Sequence, residues 1–263
     1  MDGLIEDYAA QWRRCGLCEG DVVLLHSAMK PTLLRDRDRL KDIDVARVLF
    51  ESFRRAVGTS GTVVFPTFTF DFSNGLPYDN RNSPSQMGAL SEYARRQAAF
   101  RTGHAVYSFV AFGPDASRFH DYDNKSAYGE DSPFEMLKTL DAKIAVLNLP
   151  DQNSMTFYHH VEQVMSVPYR YHKDFTKPYT DAKGVTAERT YSIFVRDLAK
   201  GVKTDVNSMG DRLWALGIYS GNRPTEGCGL RTAKARAIFE AVAEIIRKGK
   251  AEGMLFSLAG VSA

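Results

Sequence analysis

Two adjacent histidines followed by a glutamate stand in the segment TFYHHVEQV, residues 156–164. On a helix, His159 and Glu162 are three apart and share a face. His160 points about 100° away from His159. A carboxylate that accepts a hydrogen bond from one imidazole nitrogen fixes the tautomer and leaves the other nitrogen as a base. The same spacing also describes an ordinary surface pair, and the segment alone does not separate the two. His26 ends the apolar run VVLLHS, and ligands gather at the carboxyl ends of strands in α/β sheets. A turn there could offer the amides of Ser27, Ala28 and Met29 to phosphate oxygens, with Lys30 adding charge. A core histidine satisfied at a strand end explains His26 equally well. His104 and Ser108 flank the start of another apolar run, and each reads at least as well as a group satisfied by the fold.

Other chemistries find little support. No Gly-x-Ser-x-Gly elbow, P-loop, Gly-x-Gly-x-x-Gly turn or His-Glu-x-x-His set occurs. Cys15 and Cys18 form a C-x-x-C, and Cys228 is alone. No second ligand pair suits a zinc site, so reduced thiols near a helix-to-strand turn are expected and no metal is.

Elements must position these groups. Residues 3–14 and 42–57 carry helical stripes, and residues 22–27, 105–113 and 142–149 are apolar strands. The GTVVFPTFTF segment adds another, and its Pro66 implies an edge, a bulge or a strand end. SPSQMGALSEYARRQ reads as a helix with a Ser cap and Pro in its first turn. Residues 71–84 form a long loop rich in Asn, Asp, Gly and Pro. TAKARAIFEAVAEIIRKGK reads as the longest helix. This alternation predicts an α/β fold, a single domain over 1–263 with a mixed central sheet flanked by helices and elaborate loops. Mixing is expected because TYSIFV and MLFSL lack evident crossovers.

The chain has 263 residues, of which 44% are hydrophobic and 25% charged, and a formal charge of +2. No Lys/Arg tract forms a phosphate stripe, so a nucleic-acid partner is not expected. No apolar run has membrane-spanning length, and the N-terminus lacks signal-peptide order. A cytoplasmic protein without a membrane partner is therefore expected.

Six segments, taken in order, resemble the aminoglycoside 3-N-acetyltransferase family. They are LLHSAM, GTVVFPTFTF, SPSQMGALSEYARR, RTGHAVYSFVAFG, DSPFEML and the series Thr156-x-x-His159-x-x-Glu162. The likeness runs from the first strand to about residue 170, and GLRTAKARAIFE resembles the family's C-terminal helix more loosely. The resemblance implies an enzyme that moves an acyl group from acyl-CoA, as co-substrate, to an amine of an amino sugar. It implies His159 as general base, with Glu162, or alternatively Asp197, as the carboxylate behind it. It further implies that the turn His26, Ser27, Ala28, Met29 and Lys30 holds the coenzyme pyrophosphate. Thr67, Ser108 and Thr156 would line the pantetheine channel or the oxyanion position. Direct attack on the thioester needs no acyl-enzyme.

A polycationic aminoglycoside calls for an acidic cleft, and no acidic cluster is visible in the sequence. The loop offers Phe70, Asp71, Phe72, Asn74, Tyr78 and Asn80, which suit a sugar ring and a base, with His160 as scaffold or a substrate-side neighbour. The acceptor expected here is therefore a nucleotide-linked amino sugar of the dTDP-amino-deoxyhexose type, acylated for a surface glycan. The alternatives are an aminoglycoside 3-N-acetyltransferase proper and a non-catalytic coenzyme- or sugar-binding protein. A homodimer is compatible with either.

Overall fold

The computed structural model describes residues 1–120 and 122–258. Its helices are α1 (Asp2–Arg14), α2 (Met29–Arg35), α3 (Val45–Val57), α4 (Ala89–Gln97), α5 (Pro133–Thr139), α6 (Phe157–Val164), α7 (Asn207–Ala215) and α8 (Ala235–Arg247). The first strands are β1 (Val22–Ser27), β2 (Thr62–Pro66), β3 (Tyr78–Asp79), β4 (Phe109–Phe112) and β5 (Lys143–Leu147). They are followed by β6 (Arg170–Thr180), β7 (Thr186–Arg196), β8 (Val202–Thr204), β9 (Ser220–Gly221), β10 (Leu230–Lys234) and β11 (Phe256–Leu258).

A six-stranded sheet of order β4-β2-β1-β5-β10-β9 forms the centre. β1 runs parallel to β2 and β5, whereas β4, β10 and β9 run antiparallel to their neighbours. The alternation of side chains along a strand splits the core in two. Val23 and Leu25 of β1 point to a layer of α1, α3 and α4, and Val22 and Leu24 to the opposite layer with α5, α6 and α8. In the first layer Trp12 stacks on Phe53 at 4.8 Å, and its indole N–H donates to Ser52 Oγ at 2.8 Å. α3 starts at Asp44, whose carboxylate caps the Arg47 amide at 3.1 Å.

The mixed sheet was expected, but its mixing comes from other strands. TYSIFV lies in β7, in a separate three-stranded sheet of order β3-β6-β7, and MLFSL contributes β11 to a two-stranded pair with β8. The long β6–β7 hairpin is antiparallel through its whole length, so its strands needed no crossover. α4 begins at Ala89 after Gly88, later than the Ser-Pro signal suggested. Glu92 reaches back to the Ser85 amide at 2.8 Å and shapes the preceding residues as a turn. Cys15 pairs with Cys228 rather than Cys18, with the two sulfurs 3.2 Å apart and Cys18 exposed.

One buried polar cluster fastens the site-bearing segment. The Arg231 guanidinium on β10 meets Asp151 at 2.7 Å, and Tyr158 and Tyr219 donate to the same carboxylate at 2.6 and 2.7 Å. A Cβ at Gly210 would come within 2.5 Å of the Asp151 carboxyl carbon, so α7 must carry a glycine there. Removing one partner of a buried ion pair strands the other charge. Arg231→Met should therefore lower the unfolding free energy by about 3 kcal/mol or more in urea titration. A loss below about 1 kcal/mol would show that the cluster does not hold this region.

Candidate active site

α6 follows the Asp151 anchor directly. Its buried face carries Phe157, Tyr158, His160 and Val161, which leaves the adjoining face to His159. The His159 side chain keeps 19% exposure, while Glu162 behind it keeps 1%. His159 Nδ1–H donates to Glu162 Oε2 at 2.6 Å, and Arg170 Nε pairs with the same oxygen at 2.8 Å. Arg170, the first residue of β6, is fixed in turn by the Phe194 carbonyl at 3.2 Å. Burial opposes charge on Glu162, but Arg170 and the His159 N–H outweigh it and hold the carboxyl below its ordinary range. Burial and then Arg170 push the His159 pKa down, against the pull of Glu162, with Arg196 adding to the decrease. The imidazole is thus neutral at pH 7, and no hydrogen bond engages Nε2 among the described residues.

Two cavities meet at this side chain. One of about 300 Å³ lies under the β6–β7 hairpin and is lined by Tyr128, Arg170, Lys173, Phe175, Phe194 and Arg196, among others. The other, about 210 Å³, is lined by Phe68, Phe70, Met87, Gln152, Asn153 and Thr156, among others. His159, Tyr107 and Thr204 border both. A neutral base between two adjoining cavities can take a proton from a molecule in one while that molecule reacts with a molecule in the other.

The other expected site residues divide. Thr156 and Phe70 line the smaller cavity. His26, Ser27, Ala28, Met29 and Lys30 line neither cavity, although Gly88, next to Met87 of the smaller one, lies against the Ser27 carbonyl. There Met29 and Lys30 open α2 without a side-chain cap, so their amides remain available, but the Ala28 amide is taken by the Leu147 carbonyl at 2.9 Å. His26 is buried edge-on to Phe68, and burial, then Arg231, lowers its pKa to about 3. It brings no positive charge to the turn. Thr67 and Ser108 are fully buried and line neither cavity, because both hydroxyls accept from Arg101 Nε, at 3.1 and 2.8 Å.

Five of the expected substrate contacts line neither cavity. Phe72 packs on Tyr191, Tyr78 stacks on Tyr179, and the Asn80 amide donates to the carbonyls of Arg101 and Thr102. Asp71 accepts from Gln86, and Asn74 is exposed in a turn. The loop's aromatics fold it down onto the protein instead of displaying it. His160 is fully buried, with Nδ1 at 2.8 Å from the Tyr128 carbonyl and Nε2 at 3.2 Å from Glu135, and it faces neither cavity. Asp197 does not approach His159. Its carboxylate pairs with Lys200 at 3.0 Å, which holds its pKa down.

Arg170, Tyr107 and Tyr128 were not anticipated. They come from distant segments, and no spacing links them to the histidine. His104 is structural: Nδ1 accepts the Val106 and Tyr107 amides at 3.1 and 3.0 Å.

Comparison with known proteins gives consistent results. The family model for aminoglycoside 3-N-acetyltransferase matches residues 42–247. Aminoglycoside N(3)-acetyltransferase III of Salmonella sp is 26% identical over 201 residues, covering 68% of this chain and 67% of that one. Among solved structures, AAC-IIIb in binary complex with CoASH superposes with a TM-score of 0.76 at 22% identity, covering 93% of this chain and 96% of that one. Aminoglycoside acetyltransferase AAC(3)-IIb gives a TM-score of 0.76 at 19% identity with the same coverage. These matches overturn the expectation of a nucleotide-linked amino sugar as acceptor and of a role in surface-glycan synthesis. That expectation rested on the overall charge of the chain and on loop residues most of which line neither cavity. No helix among the described residues is long and apolar enough to cross a membrane.

The buried histidines set a pH dependence of stability. Burial holds the pKa near 3 at His26 and near 4 at His104, against 6.5 in the unfolded chain. Below pH 6.5 the unfolded state binds protons that the folded state refuses, so stability is full above that pH and falls as pH drops. Each histidine contributes a slope of up to ~1.4 kcal/mol per pH unit. Urea unfolding at a series of pH values should show this decline, and a flat profile between pH 7 and 5 would contradict it.

Proposed function

Since the chain belongs to the aminoglycoside 3-N-acetyltransferase family, whose enzymes are acyl-CoA-dependent N-acyltransferases, we propose that it acetylates an aminoglycoside amine with His159 as general base. One observation carries this reading: His159 stands where two cavities join, with Nδ1 held at 2.6 Å by a buried carboxylate and Nε2 left for the reactants. Acyl-CoA enters through the smaller cavity, whose Met87 adjoins Gly88 and, through it, the Ser27 carbonyl at the end of β1. The acceptor lies in the larger cavity under the hairpin.

The unprotonated amine nitrogen attacks the thioester carbonyl. His159 Nε2 removes the proton that this nitrogen must lose, and the carbonyl collapses with expulsion of the coenzyme thiolate. That thiolate takes the proton back from the imidazolium, leaving amide and free thiol. Glu162 keeps Nδ1 protonated throughout and stabilises the imidazolium while it exists. Arg170 keeps Glu162 ionised and the resting imidazole neutral. The thioester is already activated, so placing the two reactants side by side supplies much of the rate.

The test is thiol release from acetyl-CoA by the purified protein with a panel of aminoglycosides. His159→Ala should lower kcat/KM by about 10²- to 10⁴-fold with coenzyme binding retained. His160→Asn should lower stability and leave kcat within about tenfold, because His160 supports α6 from behind. Coenzyme binding without acetylation of any amine would overturn the proposal.

A further inference from the structure

Cys15 and Cys228 meet in the layer of α1 and α3, on the face of the central sheet opposite the layer that holds α6. Their sulfurs lie 3.2 Å apart, although 213 positions separate them in the chain. A disulfide has its sulfurs about 2.0 Å apart, so an approach of roughly 1 Å closes the bond. The proposed acyl transfer uses neither thiol. Cys15 ends α1, and Cys228 stands in the loop between β9 and β10. That loop is held in place around the sulfur. The Cys228 amide donates to Asn222 Oδ1 at 3.2 Å, Arg35 donates to the Gly227 carbonyl at 3.3 Å, and the Asn148 amide donates to the Gly229 carbonyl at 2.9 Å. Both cysteines line a cavity of about 460 Å³, which Arg14 lines as well and, among the described residues, no carboxylate does. Cys228 keeps 9% exposure, enough for a small oxidant to reach it. The Cys15 thiol donates to the Cys228 sulfur and, against burial, holds the Cys228 pKa below the ordinary thiol range, with Arg35 adding to the decrease. The same contact, and then burial, raises the pKa of Cys15. The pair thus sets a nucleophilic sulfur beside a protonated one.

We propose that Cys15 and Cys228 form a modification site, a dithiol that hydrogen peroxide converts reversibly into a disulfide. The Cys228 thiolate attacks one peroxide oxygen. The S–O bond forms, the O–O bond breaks, and the departing hydroxide becomes water with the proton that the Cys228 thiol gave up. The thiolate that kept Cys15 protonated is then gone, and the Cys15 sulfur attacks the Cys228 sulfur. The S–S bond forms, the S–O bond breaks, and the second hydroxide leaves as water with the Cys15 proton. Two electrons pass from the two sulfurs to the peroxide, and a dithiol reductant returns them. Cys18, the partner that the C-x-x-C spacing would nominate, is exposed and takes no part. The cross-link ties the end of α1 to the loop before β10 and closes most of the chain into one ring, which restricts the unfolded state.

The experiment treats the reduced, folded chain with hydrogen peroxide and counts thiols after quenching and denaturation. The three free thiols should fall to one, and dithiothreitol should restore all three. Peptide mapping by mass spectrometry without reduction should find Cys15 joined to Cys228, in the wild type and equally in Cys18→Ser. The oxidised chain should melt about 5 °C or more above the reduced one. Cys15→Ser lacks the second sulfur, so peroxide should leave Cys228 as a sulfenic acid that dimedone captures. Three thiols persisting after treatment would overturn the inference. So would a link between Cys15 and Cys18, or oxidation of Cys228 beyond the sulfenic state with no link to Cys15. None of these readouts depends on acyl transfer, so either result leaves the proposed function standing.

Discussion

The Glu162 carboxylate is the constraint on which the rest of the site depends. It is almost wholly buried, and an unpaired charge there would cost several kcal/mol. Two partners prevent that. Arg170 supplies the opposite charge from β6, and His159 donates Nδ1–H from the preceding turn of α6. The same contacts that make the carboxylate tolerable determine which imidazole nitrogen carries the proton. They also couple the helix that bears His159 to the hairpin that covers it. The packing of the site and the tautomer of His159 thus rest on one oxygen with two partners.

The remainder of the fold supplies the place for that triad. β5 ends at Leu147, and within a few residues Asp151 is locked by Arg231, Tyr158 and Tyr219. This fixes where α6 begins and hence where His159 projects. β1 and β5 are parallel neighbours, so their carboxyl ends lie side by side and the β1 turn comes close to the same region. Asn148, at a positive φ of 61°, ties the two together by donating to Ala28 O and Thr32 Oγ1. The sheet brings the ends of β1 and β5 together, and the separate hairpin sheet closes the opposite side.

Local features were legible in the sequence, and contacts between distant segments were not. The three-residue spacing separated His159 from His160 correctly, because helical geometry is a local property. The apolar runs at residues 22–27 and 142–149 became neighbouring central strands for the same reason. Arg170 is eight positions from Glu162, beyond a helix end, and no periodicity connects them. Thr67 and Ser108 looked like channel hydroxyls, yet they satisfy Arg101, whose burial only the folded chain reveals. Aromatic residues in the loop at 71–84 looked available to a ligand and instead anchor the loop. Net charge was the least informative quantity. A formal charge of +2 over 263 residues conceals cations clustered at one cavity wall.

The central claim is that Glu162 holds His159 as the neutral tautomer with Nδ1 protonated and Nε2 bare. Nitrogen-15 NMR of the labelled protein at pH 7 measures this directly through the shifts of the two ring nitrogens. The account predicts a protonated, pyrrole-like Nδ1 and an unprotonated, pyridine-like Nε2 for His159, with that pattern lost in Glu162→Gln. A proton on Nε2, or an imidazolium at pH 7, would contradict it.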